Sequence, residues 1–96
     1  MENRFDISTF VETLTIQKAL VTLIENEKKC RKAKHISQKE LAKMTGVSYA
    51  SIRRFENNGK ISFASLLKIA DVLDCLEDFT SIFSQKIPTS LKDYKG

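Results

Sequence analysis

The apolar positions in the middle of the chain follow the spacing of two short helices joined by a tight turn. In the segment SQKELAKMTGVSYASIRRF, Leu41 and Ala42 are expected to face inward, and Met44 can follow them. Ile52 and Phe55, three residues apart, give the second helix an apolar side. Two helices joined so closely must cross at a steep angle.

Polar residues at the expected helix ends support this interpretation. Ser37 and Glu40 have the spacing of a capping box, in which each side chain bonds to the other residue's backbone N-H. Gly46 can adopt the left-handed conformation that ends a helix, and Ser48 can cap the next one. The pattern over residues 37–56 therefore predicts a helix-turn-helix, a motif whose second helix enters the major groove of DNA.

Further helices are predicted on both sides of this motif. Thr15 can cap a first helix whose apolar stripe is expected to face the core. The stripe consists of Ile16, Ala19, Leu20, Leu23 and Ile24. Ser62 can cap a fourth, broadly apolar helix, and residues 76–83 form a short fifth segment with an acidic exterior. The predicted fold class is all-α, with four to five helices in one compact domain.

The chain is divided into three parts by this pattern. Residues 15–83 are predicted to form the DNA-binding domain, and residues 84–96 a flexible tail. Residues 1–14 could be an extended strap or a short helix, and the apolar spacing favours neither. With 96 residues there is room for a single core, which makes an enzyme with a deep cleft improbable.

Basic charge is concentrated on and beside the predicted helix-turn-helix. Between residues 28 and 60 there are ten Lys or Arg and two Glu, whereas the rest of the chain has six Lys or Arg and ten Asp or Glu. A phosphate-binding surface requires such a concentration, although a charged segment can also be only a solvated surface. The acidic residues after position 70 would repel DNA, so that end could carry a second subunit or a partner, or could be only a helix pair that closes the core.

Five residues carry a joint spacing that resembles one family of DNA-binding domains: Ala42, Gly46, Ile52, Phe55 and Glu56. The chain is similar over roughly residues 15–83 to the Xre, or lambda-repressor-like, family. The segment RRFENNGKISFASLLKIADVLDCLEDF and the short FDIST near the start further resemble HipB-like antitoxins, which are encoded beside HipA-like kinase toxins. The resemblance implies a lambda-repressor-like fold and a dimer that binds double-stranded DNA.

The exposed face of the second helix is the expected base-reading surface. An Arg can donate two parallel hydrogen bonds to guanine, and Ala50 could pack on a thymine methyl group. The resemblance slightly favours Arg54 over Arg53 as the base reader, while phosphate contact by both is the alternative. The predicted base contacts are Ser48, Tyr49, Ala50, Arg53 and Arg54. The predicted phosphate contacts are Ser37, Gln38, Lys39, Lys43, Asn57, Asn58 and Lys60.

The basic segment KKCRKAKH is either the exposed end of the first helix or an extended loop into the second. The functional interpretation is that Lys28, Lys29, Arg31, Lys32 and Lys34 lie near the backbone of bound DNA. Cations at a helix C-terminus are stabilising, so a purely structural role is available. In the family, Glu56 usually pairs with a basic residue of the first helix, and the resemblance makes Arg31 the candidate. The family also usually has a glycine turn before the second helix, which this sequence lacks.

No cofactor or metal site is predicted. Cys30 and Cys75 have no nearby C-x-x-C or histidine partners, which supports neither zinc nor a disulfide framework, and His35 is expected at the surface. Without a membrane span or signal segment, the protein is expected in the cytoplasm. The predicted function is a sequence-specific transcriptional repressor that binds as a dimer and is not an enzyme. The alternative is an antitoxin that contacts a HipA-like kinase and autoregulates its operon.

Overall fold

A computed structural model of the protein describes residues 13–84, and every regular element in that range is helical. Four α-helices are followed by one 3-10 helix: α1 (Ile16–Ala33), α2 (Gln38–Thr45), α3 (Tyr49–Asn58), α4 (Phe63–Val72) and the 3-10 helix (Leu76–Ser81). The all-α prediction is confirmed. The predicted N-terminal strap and C-terminal tail lie almost entirely outside the described residues.

Each α-helix begins at a hydroxyl N-cap, as the sequence predicts. The side chains of Thr15, Ser37, Ser48 and Ser62 each accept a hydrogen bond from the backbone N-H three residues later. At the start of α2 the capping box is complete, because the Ser37 N-H donates to Glu40 Oε1 at 2.7 Å. These caps satisfy N-H groups that have no partner within the helix.

Left-handed residues end the first three helices. Gly46 (φ 78°) follows α2 and Gly59 (φ 82°) follows α3, and each donates its N-H to a carbonyl four residues back. His35 (φ 58°) takes this conformation just after α1. The glycine turn of the family is therefore replaced here by a histidine, one of the residue types that tolerates positive φ better than most.

The core lies where α2 and α3 meet α4. Leu41, Ile52 and Phe55 are fully buried, and Ile69 of α4 is 1% exposed. Val47, in the turn between α2 and α3, joins the same cluster. Helix α4 packs against α2, and α3 packs against both α1 and α2, so the two helices of the motif are held at a fixed angle by well-packed side chains that resist displacement.

Two expectations about buried residues are wrong. Ile16 is 90% exposed and Ala19 is also exposed, so the predicted core stripe of α1 starts only at the half-buried Leu20. No other element of residues 13–84 covers the first turn of α1. Met44, three residues after Leu41, is nevertheless 55% exposed, because it borders the exposed side of α2 next to Glu40 and Lys43. Helical spacing identifies the apolar side of a helix, but it does not show how much of that side is covered by other elements.

Candidate DNA-binding surface

The turn between α2 and α3 is fixed by a threonine that the sequence analysis did not single out. Thr45 Oγ1 donates to the Leu41 carbonyl at 2.7 Å and accepts from the Val47 N-H at 3.0 Å. Val47 is buried immediately after it. These contacts join the end of α2 to the turn, so that α3 begins only three residues after Gly46 in a defined direction.

The two faces of α3 differ sharply. Ile52 and Phe55 are fully buried against the core, as predicted, whereas the opposite face is exposed to solvent. That exposed face presents Tyr49, Ala50, Arg53, Arg54 and Asn57. The structure therefore brings four of the five predicted base contacts to one side of α3, with Ser48 at its N-cap.

Tyr49 links the predicted base-reading and phosphate-binding residues. Its ring lies 5.5 Å from Lys39 Nζ of α2 and 5.6 Å from Arg53 Cζ of α3, measured to the ring centroid. Both distances fit cation-π contacts, worth about 0.5 to 1 kcal/mol at exposed sites. The ring thus gathers one cation from each helix on a common surface, which spacing alone does not predict.

Hydroxyl groups at the start of α3 lie next to the second arginine. Ser48 Oγ donates to Ser51 Oγ at 2.8 Å, and Arg54 Nη2 donates to the same Ser51 oxygen at 3.3 Å. The arginine contact is long and exposed, so it is weak enough for the guanidinium to exchange it for another acceptor. Ser51 is an addition to the predicted site.

The predicted phosphate contacts occupy both ends of the motif. Lys39 and Lys43 are exposed on α2, and Asn57 and Asn58 belong to the last turn of α3. Asn58 Oδ1 accepts the Lys60 N-H at 2.9 Å and so shapes that loop.

Gln38, at the first position of α2, is half-buried and has an internal partner. Its Nε2 donates to Glu56 Oε1 at 2.9 Å. A glutamine amide has two N-H donors, so one remains for an external acceptor.

Glu56 forms the polar link between α1 and α3. Arg31 Nε and Nη2 each donate to one of its carboxylate oxygens at 2.8 Å, and Arg31 Nη1 donates to the Ile36 carbonyl at 3.0 Å. Burial alone would raise the pKa of Glu56, but hydrogen bonds from Arg31 and Gln38 hold it below its ordinary value. The pair expected from the family is confirmed, and Arg31, only 8% exposed, belongs to the interior.

The rest of the segment KKCRKAKH is mainly the exposed end of α1, which reaches Ala33, so the loop alternative is wrong. Lys29 and Lys32 point to solvent. Lys34 Nζ lies 2.7 Å from Asp74 Oδ2, which connects this end of α1 to the end of α4. His35 is exposed, as predicted.

A second buried carboxyl lies beside this link and was missed by the sequence analysis. Glu27 is 7% exposed and has no cation or amide that donates to its oxygens within residues 13–84, and its protonated carboxyl can donate only to the neighbouring Glu56 carboxylate. Burial, together with the neighbouring Glu56, raises the pKa of Glu27 to about 8. Its spacing from Ile24 and Arg31 places it on the inner face of α1, so a signal was available.

These features, a capped α2, a fixed turn and an exposed basic face on α3, define a helix-turn-helix DNA-binding domain. A family model described as "Helix-turn-helix" matches residues 28–79, more than half of the 96 residues. The chain belongs to the Xre, or lambda-repressor-like, helix-turn-helix family and is a DNA-binding regulator. Comparison with curated proteins and with solved structures gave no match.

Among residues 13–84, no three His, Cys, Asp or Glu side chains are grouped closely enough to hold a metal ion. None of the helices in this range has the length and apolar character needed to cross a membrane.

Proposed function

We propose that the protein is a sequence-specific transcriptional repressor that reads the major groove with α3. The observation that carries this proposal is the division of α3 into a fully buried side, Ile52 and Phe55, and an exposed side with Arg53 and Arg54. A helix held firmly by one face can present the other to base edges without losing its own packing. Arginine is the side chain that most often makes specific contacts to guanine.

The surrounding side chains are assigned to positioning. Lys39 and Lys43 on α2, with Lys60 after α3, are exposed cations that would contact phosphates on either side of the groove. Gln38 at the N-terminus of α2 would use its remaining amide N-H in the same way. In this arrangement the Tyr49 ring holds Lys39 and Arg53 side by side. Lys39 could then contact a phosphate while Arg53 contacts a base, with the protein in a single orientation on the DNA.

Binding as a homodimer follows from the small number of bases that one helix can contact. Two half-sites on one side of the DNA roughly add their binding energies. We assign the second subunit to the end that contains the 3-10 helix, where Phe63, Ile82 and Phe83 are 59%, 47% and 92% exposed. The neighbouring Asp71, Asp74, Glu77 and Asp78 would repel phosphates, which leaves this end for protein contact.

Fluorescence anisotropy tests the DNA-binding proposal. The DNA upstream of the protein's own gene is compared with an unrelated duplex of equal length at two salt concentrations. Tight binding to the upstream DNA that weakens as salt rises is the expected result. Arg53→Ala and Arg54→Ala should each weaken that binding without unfolding the protein, and loss of a bidentate guanine contact costs roughly 1 to 3 kcal/mol.

Lys68→Ala is the matched control, because Lys68 is an exposed cation on α4, outside the motif. If Lys68→Ala weakens binding as much as Arg54→Ala, the assignment of α3 as the reader fails. Equal, weak binding to both duplexes would contradict autoregulation at this promoter.

The alternative function is that of an antitoxin for a HipA-like kinase. The exposed Phe83 and Ile82 favour a protein contact at the 3-10 end, and such a contact suits a toxin as well as a second subunit. Light scattering of the purified chain distinguishes a homodimer from an antitoxin that contacts a kinase. A dimer that Phe83→Ser dissociates supports the homodimer, whereas a monomer that co-purifies with a kinase encoded next to its gene supports the antitoxin.

A further inference from the structure

The fold brings the two cysteines of the chain into contact, although 45 residues separate them in the sequence. Cys30 Sγ and Cys75 Sγ lie 4.0 Å apart, and both thiols are half-buried. Cys30 is in the penultimate turn of α1, and Cys75 lies between α4 and the 3-10 helix. A disulfide requires the sulfurs to approach to about 2.05 Å, so the two side chains must move closer for the bond to form.

Other contacts hold the same two segments together. One turn along α1, Lys34 Nζ forms an ion pair with Asp74 Oδ2 at 2.7 Å, directly before Cys75. The Cys75 N-H donates to the Ala70 carbonyl at 2.8 Å, which ties its backbone to α4. The proximity of the thiols is therefore a property of the packed fold and does not depend on the cysteine side chains alone.

A cavity of about 130 Å³ adjoins the pair. Both cysteines line it, together with Leu23, Leu73 and Phe79. A space of this size exceeds the volume of several water molecules, so a small oxidant can enter beside the sulfurs. It also gives the two side chains room to rotate without displacing the core.

We propose that Cys30 and Cys75 form a reversible intramolecular disulfide when the protein meets a hydroperoxide. In the first step one thiolate attacks the peroxide oxygen, the O-O bond breaks, and a sulfenic acid forms with release of water or an alcohol. The second thiol then attacks the sulfenic sulfur, the S-S bond forms, and a second molecule of water leaves. Two thiols are oxidised and one peroxide is reduced.

Cys30 is assigned as the first thiol to react, because its sulfur accepts the hydrogen bond that the Cys75 thiol donates across 4.0 Å. Burial and the neighbouring Cys30, Asp78 and Asp74 raise the pKa of Cys75, which lowers its thiolate fraction. Cys75 then serves as the resolving thiol. A small thiol or a dithiol reductant reverses the reaction by thiol-disulfide exchange.

A disulfide between Cys30 and Cys75 would close a loop of chain that contains the whole helix-turn-helix, since α2 and α3 both lie between the two cysteines. A crosslink across a loop of this length restricts the unfolded chain and raises stability, provided that the native geometry is not strained. We expect the midpoint of thermal unfolding of the oxidised protein to rise by roughly 10 °C, given the usual size of such effects in small domains.

The test oxidises the full reduced chain with a modest excess of hydrogen peroxide and then blocks free thiols by alkylation. Mass spectrometry should find a Cys30-Cys75 peptide from monomeric protein, and circular dichroism should show the rise in unfolding temperature, reversed by dithiothreitol. Cys30→Ser and Cys75→Ser are the controls, and neither should gain stability on oxidation. In Cys75→Ser, dimedone should label Cys30 as the trapped sulfenic acid.

Two outcomes would overturn the proposal. One is overoxidation of both thiols to sulfinic acids without any crosslink. The other is a disulfide found only between two chains. Because these readouts need no DNA, they are independent of whether the protein represses its own promoter.

Discussion

Two glutamates in this protein are buried to the same extent and differ in nearly every other respect. Glu56 and Glu27 are each 7% exposed and lie close to one another between α1 and α3. Glu56 receives three hydrogen bonds, two from Arg31 and one from Gln38, and its pKa is lowered. Glu27 has no cation or amide donor within residues 13–84, and burial and its contact with the Glu56 carboxylate raise its pKa to about 8.

The comparison shows that partners, and not burial, decide the charge of these carboxyls. Desolvation disfavours the ionised form of both, and hydrogen bonds from Arg31 and, to a lesser extent, Gln38 reverse that effect for Glu56. Glu56 is therefore a charged link between helices, while Glu27 keeps its proton at neutral pH. Each of the following substitutions changes one member of this group.

Arg31→Met should have the largest effect. It leaves Glu56 buried without its cation, and breaking a buried pair in this way costs about 3 to 5 kcal/mol. Urea denaturation at pH 7 measures the loss in the free energy of unfolding. Lys29→Met, at an exposed position on the same helix, is the control and should change stability by less than about 0.5 kcal/mol. A loss below about 1 kcal/mol for Arg31→Met would show that the pair is not a structural link.

Glu56→Gln should cost less, roughly 2 kcal/mol, because Glu27 can ionise and compensate Arg31 in part. The same substitution should lower the pKa of Glu27, since the neighbouring acid that opposes its ionisation is gone. Carbon-detected NMR titration of the glutamate side chains follows that change. An unaltered pKa for Glu27 would mean that the two carboxyls do not interact.

Glu27→Gln should stabilise the protein at alkaline pH. A raised folded-state pKa gives stability that is fully present below the ordinary value of 4.5 and is lost as pH rises to about 8. The wild-type free energy of unfolding should thus fall across this window, and Glu27→Gln should flatten the decline, with a gain of roughly 1 to 2 kcal/mol at pH 8. Glu25→Gln, an exposed acid on the same helix, is the control. Parallel pH profiles for wild type and Glu27→Gln would contradict this account.

Gln38→Ala should have the smallest effect of the four. It removes one part-buried hydrogen bond to Glu56, worth about 1 kcal/mol, and leaves the Arg31 pair intact. Thermal unfolding at pH 7 detects it, with Lys43→Ala on the exposed side of α2 as the control. If Gln38→Ala destabilised the domain as much as Arg31→Met, the amide rather than the guanidinium would be the main partner of Glu56.

Local features of this fold were predictable, and features that depend on distant residues were not. The four N-caps and the two left-handed glycines follow from residues within one turn of each helix end. The exposure of Ile16 and Met44 depends on which distant residues pack against them. The spacing of apolar residues along the chain does not give that information. The Arg31 pair was expected only through the family resemblance, because it joins residues 25 positions apart.

The candidate site shows the same division. The exposed side of α3 follows from helical periodicity, so Arg53 and Arg54 could be singled out in advance. The contact of Tyr49 with Lys39 depends on the angle between α2 and α3. Thr45 and Val47 set that angle through a hydrogen bond and a buried side chain, neither of which has a repeating sequence pattern.

The two glycines that end α2 and α3 differ in how easily another residue can replace them. A Cβ at Gly46 would meet nothing within 4 Å, so an asparagine, which tolerates positive φ, could replace it without displacing a neighbour. A Cβ at Gly59 would lie 2.6 Å from Leu20 Cδ1 on α1. Relatives that replace Gly59 should therefore carry a smaller residue at position 20, so that these two sites vary together while position 46 drifts independently.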